Sequence, residues 1–467
     1  MDRKRFETFQ PYDIFLFKRE PEKGYRHRME IRDRSRNICI NEHIDFAWTY
    51  NSIQEMKKMH KLNRKFWIGM LIFGLMGQIA WVVENMYFNV FIYKMFNATA
   101  ADISLMVMAS AVTAAVTTLV MGTLSDEVGK RKLFMAWGYI IWGLTIISFA
   151  YIRNVQLTIF MDCVMTFFGS TANDAAYNAW LTDRGDSSNR GKIEGINSMM
   201  PLISVLVVFG SFMGFDLNSY HDWQLIYYII GICTLLIGFS GLAIIEEDPG
   251  LQKSKESYFE TMLYSFRYST YRDNKYLYLI LLAFAIFGTS IQIFMPYLII
   301  YYEQTLRLSN YVLIMAPAIL VAAIVTAVYG RVYDKEGFDT AAIWPMAMLI
   351  GGYVLLYLFR NTAIVFAGSM LMMSGYLCGM SVFGAIIRDL IPENRAGQFQ
   401  GIRIIAQVFI PGVIGPWIGA RVLKNAELIV NSDGTTSFLP NENIFLAALL
   451  VIVILCIVLY FLRRKKK

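Results

Sequence analysis

Hydrophobic residues in this chain gather in long runs separated by short polar stretches; they do not alternate with polar positions. The runs are roughly 20 residues long, enough to cross about 30 Å of hydrocarbon at about 1.5 Å rise per residue. They predict twelve membrane-spanning helices. In the first half these are 66–94, 102–122, 133–152, 157–181, 195–215 and 223–245. In the second they are 277–301, 309–329, 341–359, 363–387, 402–423 and 444–462. No long apolar run precedes Phe66, so no N-terminal secretory signal is expected and residues 1–65 read as a polar extension. An even number of spans puts both termini on one side.

Composition agrees with the pattern: 56% of the 467 residues are hydrophobic, and the mean hydropathy is +0.43. The net charge of +7 changes the picture only through its distribution. Lys130, Arg131 and Lys132, Arg184 with Arg190 and Lys192, the stretch from Lys253 to Lys275, and the tail from Arg463 to Lys467 all fall on the side of the basic N-terminal segment. The opposite loops carry scattered charges such as Lys94, Arg153, Arg307, Arg360 and Lys424. Positive residues near span ends stay in the cytoplasm, so both termini are expected there and the charge is a topology signal with no nucleic-acid partner behind it. The five cysteines are scattered without paired spacing, and the four histidines lie outside the apolar runs. No metal site and no cofactor is therefore expected, a coupling sodium ion or proton excepted.

An offset of 208 residues matches Tyr93 with Tyr301, Gly122 with Gly330, Asp126 with Asp334 and Gly129 with Gly337. An offset of 206 matches Asp183 with Asp389, Gly191 with Gly397 and Gly195 with Gly401. The repeat implies an all-α membrane protein of two pseudo-symmetric six-helix bundles. Its expected divisions are an extension (1–65), a first bundle (66–245), a central linker (246–275), a second bundle (276–462) and a basic tail (463–467).

The stretch from Gly122 through Asp126 and Gly129 to Lys130, Arg131 and Lys132, between spans two and three, resembles the signature of the major facilitator superfamily. A second copy from Gly330 through Asp334 to Gly337 lacks the basic cluster, since Phe338 and Asp339 stand there. A narrower resemblance, to glycoside-pentoside-hexuronide:cation symporters, rests on Asn173-Asp174-Ala-Ala-Tyr177-Asn178-Ala-Trp180-Leu-Thr-Asp183 and on Arg388-Asp389-Leu-Ile-Pro392-Glu393-Asn-Arg395. The resemblance implies the major facilitator fold and import of a sugar or glycoside driven by sodium or protons. Glycine at a span end lets a neighbouring helix approach, and an aspartate beside it can accept bonds from a facing helix or an arginine. Gly122, Asp126, Gly129, Arg131, Gly330 and Asp334 are accordingly expected to gate one face of the protein.

Polar groups at membrane depth carry the candidate chemistry, because an ionised carboxylate at the bilayer centre costs at least about 2.5–3.5 kcal/mol and calls for a partner, water or a proton. In span one, Gln78, Trp81, Asn85 and Asn89 recur at helical spacing beside Glu84. The offset of 208 sets Glu84 against Gln292, two polar groups expected to face each other across a central cavity. Span four places Asp162, Thr166, Ser170, Asn173 and Tyr177 on one face, with Asp174 and Asn178 on the adjacent stripe. A carboxylate with amide oxygens nearby could ligate sodium, and a desolvated one could carry a proton. Asp162, near the far end of its span, reads as an interface residue in contact with water, and Trp180 reads as interfacial at the basic end. Arg403 and Gln407 of span eleven either bind solute or, for Arg403, snorkel to the surface. Gly375 and Gly379 in span ten have the spacing of a close helix crossing, and Pro296, Pro317, Pro411 and Pro416 mark bends.

The expected function is secondary active transport by a monomer in the cell membrane, with Glu84, Asp174 and Asp162 coupling the cation. Gln78, Trp81, Asn85, Asn89, Asn173, Tyr177, Asn178, Gln292, Arg403 and Gln407 are the expected solute contacts, membrane lipid being the other partner. A lipid or amphiphile carrier and a non-transporting sensor are the alternatives. An enzyme is not expected, since no nucleophile and base pair appears at membrane depth. The extension reads as a cytoplasmic tail held near anionic lipid, with a surface helix near 50–65.

Overall fold

A computed structural model describes residues 13–14, 31–33, 36–38, 62–185, 189–247, 264–308, 310–391, 396–431 and 434–466. The chain forms two units, Met1–Leu62 and Asn63–Lys467. In the first, β1 (Asp13–Ile14), β2 (Ile31–Asp33) and β3 (Arg36–Ile38) pair antiparallel, with Ile31 opposite both Ile14 and Ile38. These strands were not expected, and most of the surface helix anticipated near 50–65 lies outside the described residues, as do most of the central linker and Pro392 to Arg395.

Among the described residues, the second unit carries twelve helices long and apolar enough to span a bilayer. They are α1 (Arg64–Phe96), α2 (Ala100–Val128), α3 (Arg131–Tyr151), α4 (Val155–Arg184), α5 (Gly195–Phe212) and α6 (Tyr220–Ile244). The second set is α7 (Lys275–Thr305), α8 (Val312–Glu336), α9 (Phe338–Leu358), α10 (Thr362–Leu390), α11 (Gly401–Asn425) and α12 (Asn443–Arg464). Each expected span overlaps one of them. Their starts are set by local chemistry: Asn63, Asn154, Ser219 and Asn361 cap α1, α4, α6 and α10 with side-chain oxygens, and Thr99 with Asp102 closes a capping box on α2. Leu71, Phe160, Leu236, Val328, Trp344 and Tyr460 stay exposed, an apolar surface suited to acyl chains.

Packing repeats between the halves. In the first, α1 packs on α5 and α6, α3 on α4 and α6, and α2 on α4; in the second, α7 packs on α11 and α12, α9 on α10 and α12, and α8 on α10. Each pair has its counterpart six helices on. The halves meet through α2 with α11 and α5 with α8, again symmetry mates. Gly375 sets α10 against α9, where an added Cβ would lie 2.8 Å from the Leu349 nitrogen, and Gly379 makes room for the Phe287 ring of α7.

Four spans are locally wound as π-helix: Val83–Phe88 in α1, Ser170–Tyr177 in α4, Tyr301–Thr305 in α7 and Ile405–Phe409 in α11. Pro296 breaks α7 into a 3-10 turn, Pro317 and Pro416 lie inside α8 and α11, and Pro411 follows the π segment of α11.

Candidate functional site

The π segments of α1 and α4 carry Glu84 and Asp174. A step of four residues overshoots one α-helical turn and falls short of one π turn. Thr158, Asp162, Thr166, Ser170, Asp174 and Asn178, each four apart, therefore drift one way around α4 and are brought back by the π turns. This winding splits the face expected for span four: Asn173 and Tyr177 turn to the other side.

Glu84 is 6% exposed, inside the first bundle between α1, α2 and α4. Its Oε1 accepts from Ser110 Oγ of α2 at 2.7 Å and from Thr166 Oγ1 of α4 at 3.0 Å. The two hydroxyls are themselves 2.8 Å apart. Glu84 Oε2 is buried without a hydrogen-bond partner, as is Asp162 Oδ1. Asp162 is 1% exposed, so it does not sit in water at an interface as expected. Position near a span end did not decide its exposure, because α4 turns Asp162 into its own bundle. Asp174 is partly exposed and accepts from Ser170 Oγ at 2.9 Å. The buried Trp81 indole N–H lies beside Asp174 without closing a hydrogen bond to it. Among the described residues, none of the three carboxyls is ion-paired.

The remaining candidates divide by exposure. Asn85 and Asn178 are exposed, and Gln78, Trp81, Gln292, Arg403 and Gln407 are partly so. Asn89, Asn173 and Tyr177 are buried behind them. Asn89 Nδ2 donates to Asn85 O at 2.9 Å, Asn173 Nδ2 to Tyr139 Oη at 2.8 Å, and Tyr177 Oη to Met70 O at 3.0 Å. Asn173 and Tyr177 thus bond to neighbouring helices and Asn89 within its own helix, and all three are buried in this conformation. Trp180 is also buried; its ring packs on Phe66 and its Nε1 donates to Glu246 O at 3.0 Å, so it is not an interfacial residue. Glu84 and Gln292 do not face each other through a hydrogen bond: Glu84 is turned into its own bundle, while Gln292 backs onto Gly415 of α11.

At the basic end, Arg131 opens α3 and is buried. Its Nε donates to Asp183 of α4 at 2.8 Å, and its terminal nitrogens donate to Ser125 and Asp126 of α2. The guanidinium thus ties three helices of one bundle. Gly129, between α2 and α3, has φ 68° and needs the left-handed region open to glycine; Gly337, its counterpart after α8, has φ 72°. Expected close approaches at Gly122 and Gly330 are not present: an added Cβ would meet the Ala175 Cβ at an ordinary 3.9 Å at Gly122 and nothing within 4 Å at Gly330. Asp334 is exposed, and in its neighbourhood Tyr333 Oη donates to Asp389 at 2.5 Å.

The opposite end binds the two halves together. Lys94 of α1 is ion-paired with Glu303 of α7, both largely buried. Tyr93 Oη donates to Phe438 O at 2.8 Å, Tyr297 Oη to Ala100 O at 2.9 Å and Tyr311 Oη to Tyr87 Oη at 3.3 Å. A hairpin between α11 and α12, β4 (Leu428–Val430) with β5 (Thr436–Phe438), reaches Asn97 at the end of α1 through Asn431 and Ser437, each at 3.0 Å. Sequence reasoning missed Ser110, an ordinary serine in an apolar run. It also missed the Lys94–Glu303 pair, although opposite charges one residue out of the repeat register at equivalent span ends were a usable signal.

A comparison with curated protein sequences gave no match. Among solved structures, a single-substitution mutant of the nucleoside transporter NupG superposes with a TM-score of 0.70 at 14% identity, covering 86% of this chain and 100% of its own. A bacterial homologue of the human lysosomal transporter Spinster, inward-facing and occupied, gives 0.68 at 13% identity, covering 86% and 98%. The human organic anion transporter MFSD10 (TETRAN) gives 0.60 at 12% identity, covering 85% and 99%. These likenesses concern the fold. The family model of the Major Facilitator Superfamily matches residues 66–416, so the chain belongs to this superfamily of membrane transporters.

Proposed function

We propose that the protein is a secondary active carrier that imports a sugar or glycoside across the cell membrane, driven by a sodium or proton gradient, by rocking its two bundles about a site near the bilayer midplane. The observation that carries this reading is the set of three membrane-depth carboxyls, Glu84, Asp162 and Asp174, with no cationic side chain paired to them among the described residues. Carboxyls so placed need a cation from outside the protein. Glu84 and Asp174 are the coupling groups in this reading, with Asp162 behind Glu84. Asn85, Asn178, Gln78 and Trp81 from one half and Gln292, Arg403 and Gln407 from the other are the exposed or partly exposed polar groups of this reading's solute site. The basic end and both termini are cytoplasmic by the distribution of lysine and arginine. The divisions at 66–245 and 276–462 are the moving bodies, and the contacts of Lys94, Tyr93 and Tyr297 close the far end between them.

Uptake into proteoliposomes, with a panel of radiolabelled glycosides and nucleosides under imposed sodium or proton gradients, tests this. Accumulation of a glycoside under one gradient is expected; if Glu84→Gln leaves gradient-driven uptake intact, the coupling role of that residue fails. A second reading, an amphiphile carrier, draws on a groove of about 340 Å³ between α9 and α12, lined by Phe338, Met346, Ile350, Leu459 and Tyr460 with Arg463 at its basic end. Lipid scrambling or uptake of a labelled amphiphile without glycoside uptake would favour it.

A further inference from the structure

Glu84 Oε1, Ser110 Oγ and Thr166 Oγ1 form a closed triangle with edges of 2.7, 2.8 and 3.0 Å. Each edge is a hydrogen-bond distance and each needs one hydrogen between its oxygens. The two hydroxyls supply two. With Glu84 ionised, both hydrogens point at Oε1 and the Ser110–Thr166 edge becomes a contact between lone pairs. With one proton on Glu84 Oε1, every oxygen donates once and accepts once, and the ring closes. The second oxygen, Oε2, is buried without a donor, a position that suits the carbonyl of a neutral acid far better than half of a carboxylate.

The same three oxygens stand too close together for an octahedral metal shell. Neighbouring ligands in an octahedral shell with metal–oxygen bonds of about 2.4 Å lie about 3.4 Å apart, wider than all three edges. Other titratable groups lie within electrostatic reach: the Asp162 and Asp174 carboxyls and the Cys163 thiol of α4 around Glu84, and Tyr227 of α6 around Asp162. The nearest groups from α2, Ser110 and Thr113, are neutral.

From this geometry we infer that Glu84 holds a proton in the conformation seen here, and that this proton, and not a metal cation, is the ion whose gradient drives transport. The inference rests on the carrier reading above and names its coupling ion. Its mechanical sense lies in α1. The ring joins α1 to α2 and α4, while Tyr87, one turn from Glu84, and Tyr93 and Lys94 beyond it belong to the contacts that close the far end. Loss of the proton removes the Ser110–Thr166 edge between α2 and α4 and the electrical neutrality of the bundle interior, while both hydroxyls still donate to Glu84 of α1. Binding of one proton restores both, with no bond other than the O–H made.

Infrared spectroscopy of the full chain in liposomes reads the proton directly. At neutral pH without sodium, the carbonyl stretch of a protonated carboxyl is expected; it should shift when glutamate is ¹³C-labelled at its carboxyl, and Glu84→Gln should remove the labelled component. Ser110→Ala, which keeps the acid and removes one ring partner, should move its frequency. Sodium chloride should alter the band no more than choline chloride does. No protonated glutamate in the unsubstituted protein, or a band bleached by sodium chloride alone, overturns the inference. Sodium-driven glycoside uptake with the band intact overturns the coupling half of it and leaves the carrier reading standing. No gradient-driven uptake with the band intact sinks the carrier reading instead.

Discussion

The two halves of this protein share a helix-packing plan and differ in what is stored inside it. Both end their second helix in a glycine of positive φ, and both pair their helices in the same order. The first half buries Glu84 and Asp162 among hydroxyls and pins its basic end with Arg131. At the matching places the second half has Gln292 for Glu84 and Asp339 for Arg131, and its Asp389 is served by a tyrosine hydroxyl. A repeated scaffold thus carries a buried acid in one half and an amide at the matching place in the other. Helix packing tolerates the exchange because it depends on small residues and apolar area, whereas ionisable groups must be matched by partners one at a time.

The sharpest way to break the comparison is through Glu84 and Gln292. Glu84→Gln should reduce gradient-driven accumulation in proteoliposomes to the level of empty liposomes while solute exchange continues; Gln292→Ala should change the apparent affinity and leave driven accumulation in place. Equal loss of driven accumulation in both would mean that coupling is not confined to the first half. Next is Arg131→Gln, which leaves Asp126 and Asp183 without their shared guanidinium; a loss of about 3 kcal/mol is expected, the low end for an opened buried pair because Asp126 is half exposed. Tyr333→Phe at the corresponding corner of the second half should cost less than about 1 kcal/mol. Unfolding temperatures of the purified variants order the two.

Close packing gives a smaller contrast. In Gly77→Ala the new Cβ would lie 1.9 Å from Asn173 Nδ2 and 2.6 Å from Tyr139 Oη, and about 1–3 kcal/mol of stability should be lost. Gly330→Ala meets nothing within 4 Å inside a helix. It should raise stability by about 0.5–1 kcal/mol. A destabilised Gly330→Ala protein would indicate that this helix face is covered in another conformation of the cycle.

Much of the scaffold was legible in the sequence. Twelve spans stand out because hydropathy averages over some twenty residues, and Asn63, Thr99 with Asp102, and Asn154 announce helix starts by chemistry confined to one turn. Glu84, Asp162 and Asp174 stood out because a carboxyl at membrane depth demands an explanation. The directions of their side chains did not, because π winding is settled by packing and not by composition. Assuming ideal α-helix put Asn173 and Tyr177 on the same face as Asp162, whereas the widened turns send them to Tyr139 and Met70. Ser110 was invisible for a related reason: its role exists only where α2 crosses α1 and α4.

The far end of the molecule is closed partly through main-chain carbonyls. Across the halves two tyrosines donate to Phe438 O and Ala100 O, beside side-chain contacts at Tyr87 and Asn97 and, among the described residues, one ion pair. Carbonyls cannot be edited by substitution and are let go only when whole segments separate. Unfastening this end therefore requires the hairpin and the ends of α1 and α7 to part together, so turnover should be slowest at the step that exposes the far mouth.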